Sequence, residues 1–376
     1  MKSLALQTSL VSVHRSCSSL YFAMDFYKNS SAFFLFFLLW ITLPFLSVAE
    51  IPREIAEKIE RVNRKGELYG LVVSSRAELE VVLDERSGTF RPDRELPTID
   101  ISARRFHVGE IGGHRSLVVM CGRGMVNAAQ TTQLMVTLFR VKAVVEYGRG
   151  SSANPRKLNI GDVAIPRQFA HTGLIFWEKF GGDDERFDRD IANLTFSDYN
   201  VGKSRGQVAN ELQSIYPQRE EVYSMRGKAE EGRRQFWLNV DNALYTTAQQ
   251  LEKVELDKCT SVEKASVCLQ EQPRIKRVER GSSSNFYVNN EAYRNFLRDQ
   301  LNVVSIDTSS AAIAMVCESE NKPFIAMRSI TDCAGGCTDG NDITVMRNLW
   351  PHHARKAINQ IFTNFAFIDS NIHSVA

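Results

Sequence analysis

The spacing of apolar and polar positions changes several times along the chain, and each change marks an element. Residues 51–64 alternate apolar and charged side chains at helical spacing, with Gly66 behind them as a stop, so a surface helix is expected there. Short runs of β-branched or apolar residues at 71–73, 116–120, 143–146 and 323–327 show no such alternation. Several of them run into Gly-rich turns, as strands buried on both faces of a mostly parallel sheet do. Residues 126–139 and 309–317 between them read as helices. This order of strand and helix predicts an α/β sandwich with a central sheet. No repeat and no Pro- or Ser-rich linker divides residues 50–376, which read as one domain. The interval 216–280 differs from the rest: it is rich in Glu, Lys, Arg and Gln and has few apolar runs apart from 235–245. It reads as a charged surface insertion.

The amino terminus has a different pattern. Eighteen uncharged residues, 32–49, follow Lys28 and close on the small-residue tripeptide Ser47-Val48-Ala49, which predicts a secretory signal peptide cleaved after Ala49. The rival reading is a signal anchor, because eighteen apolar residues reach the lower limit for crossing a bilayer. Pro44 and the cleavage pattern favour removal, leaving only transient membrane contact. Met24 would start a signal peptide of ordinary length, so both Met1 and Met24 stand as candidate starts.

Entry into the secretory pathway changes how charge and cysteine should be read. The chain has 46 basic and 44 acidic side chains, and the leader accounts for the excess. A balanced chain without a Lys/Arg block gives nucleic acid no phosphate-backbone footprint, so no nucleic-acid partner is expected. Loss of Cys17 with the leader leaves six cysteines in an oxidising compartment. Cys259 and Cys268, in a charged loop-like stretch, are the best candidate disulfide. Cys333 and Cys337 read equally as a tight second bridge or as two thiols. His does not cluster near the cysteines at ligand spacing, so no metal is expected. Asn193-Leu194-Thr195 is a candidate glycosylation site.

Candidate chemistry begins at two glycine turns. Cys121-Gly122-Arg123-Gly124 joins a strand to a helix, where backbone N–H groups can hold an anion, although a tight structural turn explains it equally well. Tyr147-Gly148-Arg149-Gly150 follows the next strand. Two such turns at one edge of a parallel sheet predict a pocket, with Gly122, Gly124, Gly148 and Arg149 as anion-binding candidates.

The order GRGMVNAAQTT, GRGSSANPRKLNIGDVAIP, SIDTSSAAIAMVC and MRSITDCAGG resembles the nucleoside phosphorylase superfamily. Within it, the plant bark and vegetative storage branch is the most similar. The resemblance implies a three-layer α/β/α sandwich with a central mixed, mostly parallel sheet, no resident cofactor, and inorganic phosphate as a candidate co-substrate. It also implies a purine-type nucleoside or base as ligand and a homo-oligomer. By the same resemblance, Glu78 positions or activates the nucleophile, and Asp332 of Arg328-Ser329-Ile330-Thr331-Asp332 protonates purine N7 as the glycosidic bond breaks. Breaking that bond builds oxocarbenium character on the sugar and negative charge on the base, so a general acid at the base lowers the barrier. Arg328, Thr308, Ser309 and Tyr287 are the implied substrate-binding residues.

Three departures from the family pattern bear on activity. Ser309 stands where the family places a sugar-binding Glu, and a charged acceptor there is worth about 1.5–3 kcal/mol. Glu146 stands before the second glycine turn, where phosphate-using members often have Arg; a carboxylate repels a dianion, and Arg149 is displaced along the turn. Asn285 replaces an acidic residue beside Tyr287, which can stack on a purine or serve as a core or interface aromatic. The leading expectation is a secreted or vacuolar storage-type protein with weak or lost purine N-glycosidic cleavage. The alternatives are an active nucleoside phosphorylase or nucleosidase and a binding module without turnover.

Overall fold

The computed structural model describes residues 51–178, 186–195, 214–262, 265–336 and 340–372. The chain divides into two units, Met1–Ala56 and Glu57–Ala376. Of the first, only residues 51–56 are described. The expected signal peptide, Met24 and Cys17 lie outside the described residues. Among the described residues no helix is long and apolar enough to cross a membrane.

Helix α1 (Arg53–Arg64) buries Ile59 and Val62, three residues apart on one face, and Gly66 behind it has φ +107°, a conformation that suits a residue without a Cβ. The strands follow in chain order. β1 (Leu68–Val73), β2 (Arg91–Pro92), β3 (Thr98–Ile101), β4 (Arg104–Ile111), β5 (His114–Met120), β6 (Val141–Ser152) and β7 (Val163–His171) come first. β8 (Ile175–Trp177) with β9 (Ile215–Pro217), and β10 (Glu220–Val222) with β11 (Arg233–Gln235), are antiparallel side pairs. β12 (Leu238–Asn239), β13 (Cys259–Val262), β14 (Ala265–Cys268), β15 (Ile275–Ser283), β16 (Ser305–Asp307) and β17 (Phe324–Cys333) complete the set.

The central sheet runs β12-β7-β15-β16-β6-β1-β5-β4-β2, with β3 on β4. β1 pairs in parallel with both β5 and β6, and every residue of it is buried, as a continuous apolar strand between two helical layers requires. β17 pairs in parallel with β6 and antiparallel with β7. Because β6 also pairs with β16, β16 with β15 and β15 with β7, these five strands curl into a closed ring. The architecture is the expected α/β one with a mixed central sheet and parallel strands at its heart.

Helices cover both faces. α2 (Arg76–Leu83) and the long α7 (Gly340–Ile372) pack Val81, Val82, Leu349, Ile358 and Phe362 against Leu71 and Val145. α3 (Met125–Leu138) and α6 (Ser310–Ser319) pack together on the opposite face. α4 (Asn242–Thr247) packs against α7 and β17 with Leu244 in the main core, and α5 (Glu291–Leu301) buries Phe296, Leu297 and Leu301 in a second cluster.

The interval 216–280 is not all surface. Leu244, Ala248, Leu251, Leu256 and Leu269 belong to the main core, β12 joins the edge of the sheet, and β15, starting at Ile275, is a central strand. Its charged residues look outward while sparsely spaced leucines point in, so the interval reads as polar although its framework is buried. Cys259 and Cys268, expected in a loop, stand directly opposite each other on the β13–β14 hairpin and are joined. Cys333 is disulfide-bonded too; its expected partner Cys337 lies outside the described residues. Asn193 is exposed.

The loop closed by Cys259 and Cys268 is short, so its chain-entropy contribution is about 2–3 kcal/mol. Replacing both by Ser should lower unfolding stability by that amount in denaturant titration and leave the far-ultraviolet circular dichroism unchanged. Non-reducing peptide mapping should recover the pair, and free thiols at both positions would disprove it.

Candidate functional site

A cavity of about 240 Å³ opens where β1, β6, β16 and β17 end, and Arg328 lies at its floor. Its side chain is 1% exposed, among the largest fully buried in the protein. Nη2 donates to Glu146 Oε1, to Ser309 Oγ at 2.9 Å and to Ser310 Oγ at 2.6 Å. Nε donates to Ser310 Oγ at 3.0 Å and lies 3.2 Å from Asp307 Oδ2. Burial works against the guanidinium charge, but Asp307 and Glu146 more than offset it, and Arg328 is held charged. Glu146 is fully buried, and burial pushes its carboxyl above the usual range against the pull of Arg328. In the β6–β17 register Arg328 stands beside Gly148. A Cβ on Gly148 would lie 2.0 Å from Arg328 Nη1, so the glycine expected to bind an anion instead makes room for a cation.

The loop from β16 into α6 is shaped by Asp307. Its Oδ1 accepts from the backbone N–H of Ser309 at 2.8 Å, that of Ser310 at 2.9 Å and Ser283 Oγ at 2.7 Å. Thr308 and Ser309 are thereby presented along the cavity wall. Ser309 Oγ donates to Glu146 Oε1 at 2.6 Å.

Glu78 sits in the first turn of α2. It forms a capping box with Ser75, accepting from the N–H of Ser75 at 2.8 Å and of Ser74 at 2.9 Å on Oε2. Its other oxygen accepts from the Arg149 N–H at 3.1 Å and faces Arg149 Nε at 3.5 Å. Arg149 also lies over the Trp350 ring, 5.2 Å from its centroid. Glu78 is therefore both a cavity wall and the clamp that ties α2 to β6.

Asp332 owes its direction to an irregularity. The β6–β17 register shifts between Ile330 and Asp332, and both Thr331 and Asp332 then line the cavity. A bulge re-aims a side chain in this way. Burial raises the Asp332 carboxyl above its ordinary value, partly countered by a hydrogen bond from Ser151 and the charge of Arg149. The upward shift favours the protonated form that a general acid needs.

The rim is aromatic. Tyr287 is 69% exposed and Phe286 also lines the mouth, so Tyr287 is no core residue. Asn285 supports this lip, its Oδ1 accepting from the Met125 N–H at 2.8 Å at the start of α3. That bond takes one of the N–H groups expected to be free for an anion. Gly122 and Gly124, with φ +92° and +91°, shape the turn but stay off the cavity wall; Arg123 between them reaches it.

The fold thus brings Glu78, Arg149, Tyr287, Thr308, Ser309, Arg328 and Asp332 to one cavity. Ser74, Ser75, Arg123, Ser151 and Asp307 also line it and were not singled out from the sequence. The Ser74-Ser75 pair directly after a buried strand was the available signal, since hydroxyls there cap a helix. Among the described residues no group of His, Cys, Asp and Glu is placed to hold a metal ion.

Comparison with known proteins agrees with this geometry. The family profile described as the phosphorylase superfamily matches residues 69–363. Bark storage protein A of Populus deltoides is 31% identical over 78% of this chain and 88% of its own length. Bark storage protein B of the same organism is 30% identical over 81% and 92%. A 5'-methylthioadenosine/S-adenosylhomocysteine nucleosidase of Marinomonas sp. (strain MWYL1) is 26% identical over 61% and 73%. Among solved structures, futalosine hydrolase of Helicobacter pylori strain 26695 matches with a TM-score of 0.51 at 16% identity, over 81% of this chain and 99% of that one. At that identity the likeness concerns the fold alone.

Gly148→Ala should displace the buried guanidinium and lower unfolding stability by about 2–4 kcal/mol, because it both overpacks the floor and disturbs a buried ion pair. Chemical denaturation of the variant checks this, and wild-type stability would show that Arg328 has another place to go.

Proposed function

From the premise that this chain belongs to the phosphorylase superfamily, we propose that it is a storage-type protein of the secretory pathway. It keeps a purine nucleoside pocket and has weak or lost N-glycosidic cleavage. Its similarity to the two bark storage proteins supports the storage reading. The observation that bears most on activity is the engagement of Glu78. Three backbone N–H groups and Arg149 occupy its two oxygens, and Ser309 lines the wall where the family pattern has a carboxylate. A base to activate an attacking nucleophile is therefore not free.

The binding half of the site is intact on this reading. A purine stacks on Tyr287 and Phe286 at the rim, and its sugar meets the hydroxyls of Ser74, Thr308 and Ser309. Inorganic phosphate is disfavoured as co-substrate: Arg328 is committed to Glu146 and Asp307, and Arg149 to Glu78. Any residual cleavage is assigned to water.

A second reading, an active nucleosidase releasing a purine-type base, is favoured by Asp332. As the glycosidic bond lengthens, negative charge gathers on the base, and a protonated Asp332 can deliver its proton to N7 while the bond electrons leave with the base. Water then adds to the oxocarbenium carbon and loses a proton to solvent, from which Asp332 takes its own proton back. Incubation with adenosine and 5'-methylthioadenosine, with and without phosphate, separates the two readings by the free base released.

The location assigned is vacuolar or extracellular, after cleavage at Ala49. The Cys259–Cys268 bridge supports an oxidising compartment, and exposed Asn193 is available for glycosylation. A homo-oligomer is the proposed state: Phe286 and Tyr287 leave apolar surface at the cavity mouth, and Val126 is exposed in the first turn of α3.

Asp332→Asn should cut any base release by about 10²–10⁴-fold, because an amide has no acidic proton to give. The same change should stabilise the fold at neutral pH. The Asp332 carboxyl is raised by burial, so the folded state holds its proton more tightly than the unfolded chain. Wild-type stability then falls as pH rises from the usual Asp value through the raised one. The gain in melting temperature from Asn should be present at pH 7 and fade as pH falls toward 4; an equal gain at both would refute the assignment. Amino-terminal sequencing of protein from its native tissue should begin at Glu50, and a retained leader on membrane-bound protein would refute secretion.

A further inference from the structure

Two departures from the family pattern, a hydroxyl at position 309 and a carboxylate at 146, turn out to be in contact. Ser309 Oγ donates its only proton to Glu146 Oε1 at 2.6 Å and accepts from Arg328 Nη2 at 2.9 Å. Its remaining lone pair faces Ser74 Oγ at 3.3 Å across the cavity wall. With the Ser309 proton committed, that lone pair accepts from Ser74 Oγ, and a ligand hydroxyl that reaches it takes the place of this long 3.3 Å contact. Behind it, Glu146 is fully buried, and its second oxygen has no hydrogen-bond partner. The oxygen that accepts from Ser309 also accepts from the Arg328 guanidinium, so the hydroxyl in front of it is held in a charge-assisted network, and such bonds are about twice as strong as neutral ones.

We propose that Glu146 is the specificity-determining carboxylate of this cavity, acting through Ser309 to make it a strong acceptor for a sugar hydroxyl of the bound ligand. Glu146 is a positioning residue here, one atom layer behind the wall, and Ser309 makes the contact. The ligand class follows from the wall itself: a corner of hydroxyls backed by buried charge suits a polyhydroxyl group, and the aromatic rim suits a planar one. The inference rests on the nucleoside pocket proposed above. It also changes what a restored carboxylate would do. Ser309→Glu on its own sets a second carboxylate against Glu146, with Asp307 also within reach of Arg328.

The test is a double-mutant cycle on the mature protein with Glu146→Gln, Ser309→Ala and the pair. Binding of adenosine, 2'-deoxyadenosine and 3'-deoxyadenosine is read by calorimetry, and folding by melting temperature. Wild type should prefer adenosine over at least one deoxy analogue by about 10-fold or more. Each single variant should erase most of that preference while binding of the disfavoured analogue stays within about threefold, and the double variant should lose no more. A purely structural role for Glu146 would weaken all three ligands alike. Preserved discrimination in Glu146→Gln, or additive losses in the double variant, overturns the proposal. Should Glu146→Gln fail to fold, Ser309→Glu and Glu146→Gln/Ser309→Glu decide: the second should melt higher than the first, and equal or lower melting overturns it. Wild type that binds none of the three ligands refutes the nucleoside reading, and the same melting comparison still judges whether the two positions act as one unit.

Discussion

A guanidinium with no access to water has to be compensated by the protein around it, and the placing of Arg328 at the meeting point of three strands governs much of this molecule. Its partners come from distant parts of the chain: Glu146 from β6, Asp307 from β16, Ser309 and Ser310 from the start of α6. Those segments are also the ones that close the ring of strands, with β17 lying between β6 and β7. Removing one partner of a buried pair leaves an uncompensated charge, which costs about 3–5 kcal/mol. The ion network and the closure of the sheet therefore stand or fall together, and Gly148 is the space that lets the side chain pass.

The parts of this arrangement visible in the sequence are those in which one residue type dominates a whole segment. β1, β5, β6 and β17 are runs of apolar residues ending near Gly or polar turns, and α3 and α6 keep helical spacing, so all six were expected close to where they lie. β15 was not. Its sequence IKRVERGSS carries four charges, and only Ile275 and its last three residues are buried, so it reads as part of a polar insertion although it pairs on both sides. The same limit applies to the cavity. Glu78, Arg328 and Asp332 were legible through a family pattern, whereas the role of Gly148 depends on a neighbour 180 positions away. The contact between Glu146 and Ser309 could not be read from either residue alone, because each looks like an isolated loss.

The carboxylates around the cavity occupy three environments and so have three uses. Glu78 is saturated by backbone N–H groups and serves the capping of α2. Glu146 is paired with Arg328 in the dark of the fold. Asp332, half-buried at the bulge, alone has both a raised pKa and a place on the wall. Acid and base roles at one site are separated by environments that push titratable groups apart. Here Asp332 has the raised pKa that an acid would need, and Glu78 is engaged by backbone N–H groups at a helix start.

That asymmetry bears on how so complete a pocket could be retained without regard to turnover. If selection acts on folding and abundance, residues that only speed a reaction are free to change, but those that also hold the fold are not. Arg328, Asp307, Glu146 and Glu78 each fix a strand end or a helix start, and a well-packed apolar replacement would need several of them to change together. The cavity they surround cannot collapse without breaking the ion network at its floor. With a hydroxyl at Ser309, Glu146 supplies the charge opposite Arg328 from the neighbouring strand, so the network at the floor stays paired. A ligand-shaped space then persists because its walls are structural, whether or not anything is turned over inside it.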